Sequence, residues 1–459
     1  MVRIFKHYIP FSLVFLGILE TAVFFAAVPF ARYLNRYDSK PLEEFFYTEI
    51  VFTLVVVLTV AASGLYRRHD RDGFRGVLFR IILVVFSVFF LMSFLFYLQP
   101  ALFTARTTFV YALMVLGGTL LITRSGLIYF IDQDYFKRRI IVYGAGKKAA
   151  HMTELRRKSD RRNFKLLGFL PIPGEDILID KELLIDTPDG LINYINSNDI
   201  VEIIVAIDDR RKNFPVDDVL ECKVNGVDVL DISTFFERQT GRIKLTALHP
   251  SNLIFSDGFT QGILNQYLKR MVDIFAALIL LLMTWPVMLL TALAILIESG
   301  FKGSIFYKQL RVGLNNKNFN VMKFRSMAMD AEKNGAQWAQ TIDPRVTWVG
   351  NMIRKYRIDE LPQLFNVLNG DMSFVGPRPE RPEFVKDLSE KIKYYEIRHF
   401  VKPGITGWAQ VCYPYGATEQ DSRNKLEYDL YYMKNYTLFL DIMILLQTTQ
   451  VVVWRQGSR

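Results

Sequence analysis

Residues 357–362, Arg-Ile-Asp-Glu-Leu-Pro, place two carboxylates side by side at Asp359 and Glu360, and Arg378 follows between Pro377 and Pro379. Leu361, Leu364, Phe365, Val367 and Leu368 recur at helical spacing; Pro362 suits a first turn and Gly370 a stop. The acids therefore read as a helix start, where they favour the helix by about 0.3–1 kcal/mol. Taken alone, that capping role accounts for them. The chemical reading adds that a helix N-terminus keeps a carboxylate ionised, hence nucleophilic, and attracts phosphate. Two neighbouring acids can then divide labour, one attacking phosphorus and one holding a hard cation such as Mg²⁺. Cationic residues shift the balance toward chemistry. Lys323 and Arg325 lie in Met-Lys-Phe-Arg-Ser-Met, and Arg345 in Asp-Pro-Arg-Val-Thr-Trp-Val-Gly. Each reads equally as a surface ion pair, but the two prolines restrict the backbone around Arg378, which makes a preorganised phosphate clamp. Phosphoryl transfer needs mostly positioning and charge neutralisation, and these residue types supply both.

Other chemistries are poorly supplied. Of five histidines only His399 lies beyond residue 260, which starves a His-based triad. Neither a G-x-S-x-G elbow nor a Walker loop occurs. Cys222 and Cys412 are the two cysteines, too few for a disulfide framework or a thiolate metal site. The pairs Asp70-x-Asp72 and Asp132-x-Asp134 flank apolar segments and read as solvated loop charges.

The elements that must position these residues are partly apolar. The 459-residue chain is 51% hydrophobic with net charge +10, mean hydropathy +0.17 and pI near 9.3. That is too apolar for an ordinary soluble enzyme. The basic balance suits anionic lipid or phosphorylated ligands better than nucleic acid, for which no zinc finger, long Lys/Arg run or RNA-binding motif is present. Tyr8–Ala31, Ile50–Tyr66, Val77–Leu98 and Phe109–Ile131 are each near the ~20 residues that span a ~30 Å hydrocarbon layer. Further apolar segments follow the first, so the N-terminus does not read as a cleaved signal peptide. Arg80 and Arg124 lie toward helix ends and are expected to reach outward; Glu20 is mid-span and expected to be paired inside. Arg3 and Lys6, then Arg67, Arg68, Arg71 and Arg75, then Lys137, Arg138 and Arg139 put both ends of this segment in the cytoplasm by the positive-inside rule.

A strand at Ile140–Tyr143 runs into Gly144-x-Gly146-x-x-Ala149. With further strand-like runs at Leu166–Leu170, Val201–Ala206 and Val227–Ile232, it predicts a Rossmann-like α/β domain over 138–240. The glycine pattern leaves nucleotide binding at Gly144 and Gly146 open, but the acidic residue expected after the second strand is absent, which favours a structural or regulatory unit. A fifth apolar run, Ile274–Ile297, is by length alone a spanning helix, and it has basic residues on both sides and Pro286 inside. Keeping both flanks cytoplasmic calls for a helix–break–helix over 270–298 that dips into one leaflet. Leu438–Trp454, interrupted by Asp441 and Gln447–Gln450, suits an interfacial helix.

These residues resemble a known family. Lys269–Asp273, Lys323–Met327, Asp343–Gly350, Arg357–Pro379, Val401–Val411 and Lys425–Tyr436 follow in order the motifs of the bacterial sugar transferases, the monotopic polyprenol-phosphate phosphoglycosyl transferases. The whole chain resembles their long form. That implies a mixed membrane protein: a four-helix transmembrane bundle over 1–135, the Rossmann-like α/β domain over 138–240, and an α-rich catalytic module over 260–459 with a re-entrant membrane helix. It implies transfer of a sugar 1-phosphate from a UDP-sugar to undecaprenyl phosphate at the bacterial inner (cytoplasmic) membrane, with N-terminus and module on the cytoplasmic side. Asp359 is the implied nucleophile, giving an aspartyl–phosphosugar and releasing UMP. Glu360 is the implied Mg²⁺ ligand, with Lys323, Arg325, Arg345, Arg378 and Asp429 at substrate or phosphate. Lys269, Arg270, Asp273 and Pro286 belong to the re-entrant helix. Cys412–Thr418 departs from the usual family pattern and resembles a subgroup linked to exopolysaccharide loci, which leaves the sugar open; the long form implies glucose or galactose 1-phosphate first, with N-acetylated sugars as the alternative. Dimerisation or regulation is what remains for the N-terminal parts. Two competing readings are a catalytically inactive nucleotide-sugar sensor and a glycosyltransferase that releases UDP.

Overall fold

The structure, a computed structural model, describes residues 2–4, 7–9, 11–35, 45–66, 73–131, 137–153, 164–188, 190–208, 215–248, 258–259, 262–328, 331, 344–413, 416 and 418–453. Lys6, Arg67, Arg68, Arg71 and both Asp-x-Asp pairs lie outside the described residues. The chain forms two compact units, Tyr8–Pro250 and Ser251–Arg459, the second also taking in Arg3–His7. Two short strands, β1 (Val2–Ile4) and β2 (His7–Ile9), open the chain.

The first unit begins with helices α1 (Phe11–Leu34), α2 (Phe45–Ser63), α3 (Gly73–Leu98) and α4 (Arg106–Ile131). Residues three or four apart share one helix face. That spacing brings Phe24, Ala27, Val28 and Ala31 of α1 against Val56 and Val60 of α2, Val84, Val88 and Met92 of α3, and Leu116 and Leu120 of α4. The opposite faces are also apolar: Phe15, Ile18, Phe86, Phe90 and Ile122 are exposed. Helices apolar all round require an apolar surrounding. Among the described residues five helices, the fifth being Ile263–Glu298, are long and apolar enough to cross a membrane. Arg80 and Arg124 do not reach outward as expected but are buried. Arg124 pairs with Glu20 at 2.9 Å, and Tyr66 and Thr123 each donate to the same carboxylate at 2.6 Å. A carboxylate without solvent must find such partners, and the cation comes from α4.

The α/β part follows. Strands β3 (Arg138–Tyr143), β4 (Phe164–Leu170), β5 (Glu202–Val205) and β6 (Asp228–Asp231) form a parallel sheet in the order β4-β3-β5-β6. Between them lie α5 (Lys147–Ala150), α6 (Leu191–Ser197) and α7 (Val216–Val224), and α8 (Ile232–Thr240) follows. Alternation along the strands fills both faces: Ile140, Val142 and Ile204 pack with Phe235 and Phe236, while Ile141 and Ile203 pack with Ile195, Cys222 and Val227.

The second unit is α-rich. The apolar helix α9 (Ile263–Glu298) leads into an antiparallel hairpin, β7 (Phe306–Val312) and β8 (Asn318–Phe324). Then come α10 (Trp348–Lys355), α11 (Gln363–Asn369), β9 (Ser373–Val375) and α12 (Pro382–Lys391). The chain continues with β10 (Gly404–Thr406), which pairs parallel with β9, and with α13 (Trp408–Cys412), α14 (Glu419–Lys434) and α15 (Leu438–Val453). The expected break at Pro286 does not interrupt α9, which is one continuous helix. Proline forfeits one helical hydrogen bond, but opening the backbone in apolar surroundings would forfeit more. Thr284 donates its hydroxyl to the Leu280 carbonyl at 2.7 Å.

Candidate active site

Helix α10 ends at Lys355, and Arg357 then turns the chain with a left-handed φ of 54°. Asp359 and Glu360 sit in the tight 3₁₀ turn Ile358–Glu360, ahead of α11 and not within its first turn. The expected helix cap is corrected here: the Glu360 amide already donates to the Arg357 carbonyl at 3.2 Å. Helix α11 is seven residues long, so its dipole is a minor influence. Gly370 ends it with φ 92°, as its position suggested.

The two acids live in different settings. Glu360 Oε1 accepts from Lys323 Nζ at 3.1 Å and from Arg378 Nη2 at 3.0 Å. Arg357 Nη1 stands 3.6 Å from Oε2. Burial alone would raise the Glu360 pKa, but Lys323, Arg378 and Arg357 outweigh it and hold the carboxyl well below the usual range. Asp359 is 9% exposed and, among the described residues, its carboxylate makes no hydrogen bond or ion pair. Burial pushes its pKa up; Lys323, Arg354 and Arg378 pull against this and Glu360 adds to it. The expectation that a helix dipole keeps Asp359 strongly ionised is thus corrected: the nearby cations do that work, and only in part. Glu360 is an anchored anion, and Asp359 an uncommitted one beside three cations.

The loop carrying Arg378 is strapped along its length. The Pro377 carbonyl accepts from the Gly404 amide at 3.0 Å, and that of Glu380 from the Val312 amide at 2.9 Å. Arg398 Nη2 donates to the Arg378 carbonyl and Arg311 Nη1 to that of Pro379, both at 2.9 Å. Gly376 has no room for a side chain, since a Cβ there would meet the Lys402 carbonyl oxygen at 2.3 Å. With its backbone fixed on both sides, the Arg378 guanidinium has little entropy to lose on gripping an anion.

The remaining predicted residues have partners of their own. Arg325 lines a separate cavity of about 210 Å³ with Lys302, Glu298 and Thr347. Arg345 donates to the Ala331 carbonyl at 3.1 Å. Asp429 is buried and pairs with Arg398 at 3.0 Å, one step behind Arg378; burial pushes its carboxyl up to about 6 even against that charge. The start of α9 grips the segments flanking the site. Lys269 contacts Asp441 at 2.6 Å and the Val375 carbonyl at 3.0 Å. Arg270 donates to the Val367 and Leu368 carbonyls, capping α11. Asp273 accepts from Ser373 Oγ and the Phe374 amide at 3.1 and 3.0 Å. The interfacial helix expected at the C-terminus is α15, whose Asp441 and Thr448 turn inward, Thr448 meeting Thr406 at 2.7 Å.

Among the described residues no three His, Cys, Asp or Glu side chains converge as a metal cage. Mg²⁺ often takes only one or two carboxylates, completing its shell with water and substrate phosphate. The Asp359–Glu360 pair fits that pattern, and Glu360 Oε2 is the oxygen engaged by neither Lys323 nor Arg378, with Arg357 3.6 Å from it.

Comparison with known proteins gives the family. Residues 264–455 match the family model of the bacterial sugar transferases, and residues 61–232 that of a CoA-binding domain. A UDP-glucose:undecaprenyl-phosphate glucose-1-phosphate transferase of Klebsiella pneumoniae is 30% identical over 94% of this chain and 92% of its own. The chain belongs to the bacterial sugar transferase family.

A UDP-N-acetylgalactosamine-undecaprenyl-phosphate N-acetylgalactosaminephosphotransferase of Aeromonas hydrophila is 44% identical over 52% of this chain. An undecaprenyl-phosphate glucose phosphotransferase of Komagataeibacter xylinus is 33% identical over 70% of it. These two matches span 55% and 60% of the relatives' own lengths. With its apolar helices, this member of the bacterial sugar transferase family is a membrane-associated protein. Sequence reasoning missed Arg357 and Arg398. Arg357 sits three residues before Glu360, a spacing that pairs charges. Arg398 follows Tyr395 in an unremarkable stretch, and no local signal joins it to Arg378, 20 residues earlier.

Proposed function

We propose that the protein transfers a sugar 1-phosphate from a UDP-sugar to undecaprenyl phosphate, through a phosphosugar held covalently on Asp359. The observation that carries this is the contrast between the acids: Glu360 is held by Lys323, Arg378 and Arg357, while Asp359 is left uncommitted near Lys323, Arg354 and Arg378. Asp359 attacks the sugar-bearing phosphorus, a P–O bond forms to its carboxylate, and the bond to UMP breaks. The polyprenyl phosphate then attacks the same phosphorus and frees the carboxylate. Lys323 and Arg378 grip phosphate oxygens as charge moves onto them. Mg²⁺ at Glu360 Oε2 would neutralise the donor diphosphate when bound. Two sequential displacements at one carboxylate give ping-pong kinetics.

The membrane arrangement belongs to the same proposal: four helices cross the bacterial inner membrane, N-terminus and module lie on the cytoplasmic side, and α9 is re-entrant. Both ends of α9 dock on one module, Asp273 on Ser373 and Phe374 at the start, Ile295 and Glu298 on Val349 at the end. A straight crossing would part those ends by a membrane. Between them Leu278, Leu282, Met283, Trp285 and Leu290 stand exposed. A helix dipping into one leaflet sets Asp359 where a soluble donor and a lipid phosphate can reach it in turn.

The relatives' names divide over the sugar, glucose in the Klebsiella protein and N-acetylgalactosamine in the Aeromonas one; a hexose is proposed first. Purified protein with undecaprenyl phosphate, Mg²⁺ and a panel of UDP-sugars tests the reading. UMP release, with a phosphosugar mapped by mass spectrometry to the Asp359 peptide, is expected. Release of UDP would mean the glycosyltransferase reading, and no turnover with any donor the sensor.

A further inference from the structure

The α/β part matches a family described as CoA-binding, and its first strand runs into Gly144-x-Gly146-x-x-Ala149. We infer that this glycine turn is closed to CoA and other nucleotides, because the protein's own carboxylates occupy the groups that would hold their phosphates. In a doubly wound sheet such ligands bind at the carboxyl ends of the strands where strand order reverses, here between β3 and β5. Asp208 follows β5 at that place. Its two oxygens accept from the amides of Lys147 and Lys148, both at 2.8 Å. Glu175, beyond β4, accepts from the Ala145 amide at 3.0 Å and the Asp208 amide at 2.9 Å. The Lys148 ammonium donates to the Ile207 and Asp208 carbonyls at 2.9 and 3.0 Å, fastening the same loop.

The glycines serve this closure. A Cβ on Gly146 would meet Asp208 Oδ2 at 2.4 Å and Glu175 Oε1 at 2.8 Å. The space a pyrophosphate needs beside that glycine is taken by carboxylate. Gly144, with φ 116°, brings its Cα against the Ala206 carbonyl, 2.7 Å from an added Cβ. A diphosphate would meet two carboxylates and find the amides of Ala145, Lys147 and Lys148 already engaged. The two loops instead act as a latch across the ends of β3, β4 and β5, and the domain serves as a fixed unit. This inference is independent of the reaction proposed for Asp359.

Hydrogen exchange read by mass spectrometry on the full-length protein in detergent tests it. Residues 145–148 should exchange slowly without ligand, and CoA at about 1 mM, the weak end of ordinary affinity, should leave their rate unchanged. Asp208→Ala removes two charge-assisted acceptors, and the Lys147 and Lys148 amides should exchange at least about tenfold faster. Glu175→Gln, a milder change, should loosen Ala145 and Asp208 and keeps the test open where Asp208→Ala disturbs folding. Slowed exchange of residues 145–148 on adding CoA to the unaltered protein would overturn the inference. So would rapid exchange of these amides before any addition.

Discussion

Arg378 and Glu360, 18 residues apart in sequence, meet at 3.0 Å, Nη2 to Oε1. That contact joins the proline-bounded loop to the turn bearing the nucleophile candidate, so the clamp and the acid keep a fixed spacing. Exchanging Arg378 for lysine keeps the charge but loses the planar fork. We expect Arg378→Lys to lower kcat/KM about 10- to 100-fold, with thermal unfolding changed little. Steady-state kinetics with the preferred UDP-sugar, beside a melting curve, measure both.

The neighbouring acids should respond oppositely to neutralisation. Glu360 has a depressed pKa, so its charge stabilises the fold above the ordinary glutamate pKa, and that stability is lost only as pH falls through the depressed value. Glu360→Gln should therefore destabilise the protein at neutral pH, by about 3 kcal/mol for a largely buried, multiply paired carboxylate. Asp359 has a raised pKa, so its ionised form costs stability at neutral pH. Asp359→Asn should leave the melting temperature equal or higher while cutting UMP release by at least about a thousandfold.

On the proposed mechanism, the raised Asp359 pKa governs the acid limb of the rate profile. The carboxylate must be ionised to attack, so kcat/KM should fall with acidity at a higher pH than an ordinary aspartate would give. Lys323 is the strongest charge drawing that pKa down. Lys323→Met should shift the limb further toward alkaline pH, beyond lowering the plateau. A limb that stays in place across the two proteins would show that Asp359 does not control it.

Asp429 and Arg398 form a buried pair behind Arg378. Breaking it from one side strands a buried charge. Asp429→Asn or Arg398→Gln should each cost about 3–5 kcal/mol, read by denaturant unfolding. Replacing both by leucine should recover much of that stability. Activity should stay low in the double variant, because Arg398 also donates to the Arg378 carbonyl.

Much of this was legible in the sequence because it obeys local rules. The four strands of the α/β sheet, the N-terminal helices and the stop at Gly370 follow from alternation, apolar length and glycine chemistry. The meeting of Lys323, Glu360 and Arg378 followed from residue type and motif. What escaped depends on long-range packing. No local pattern shows that Glu20 finds Arg124, that Arg398 supports Arg378, or that Asp429 backs the clamp from a buried position. Pro286 misled because a proline signals a break, whereas the apolar setting of α9 keeps its helix whole. The acids were placed on a helix start because the apolar stripe ran up to them; the left-handed Arg357 draws that start later.

Arg270, Asp273 and Lys269 sit within five residues at one end of the long apolar helix and hold α11 and β9, the two segments that link the reactive turn to its clamp. A rod so fastened cannot tip without dragging the chemistry along. On the proposed membrane arrangement, the depth at which that helix sits in its leaflet becomes a mechanical input to turnover, and lipids of different chain length should tune the rate with no change in either substrate.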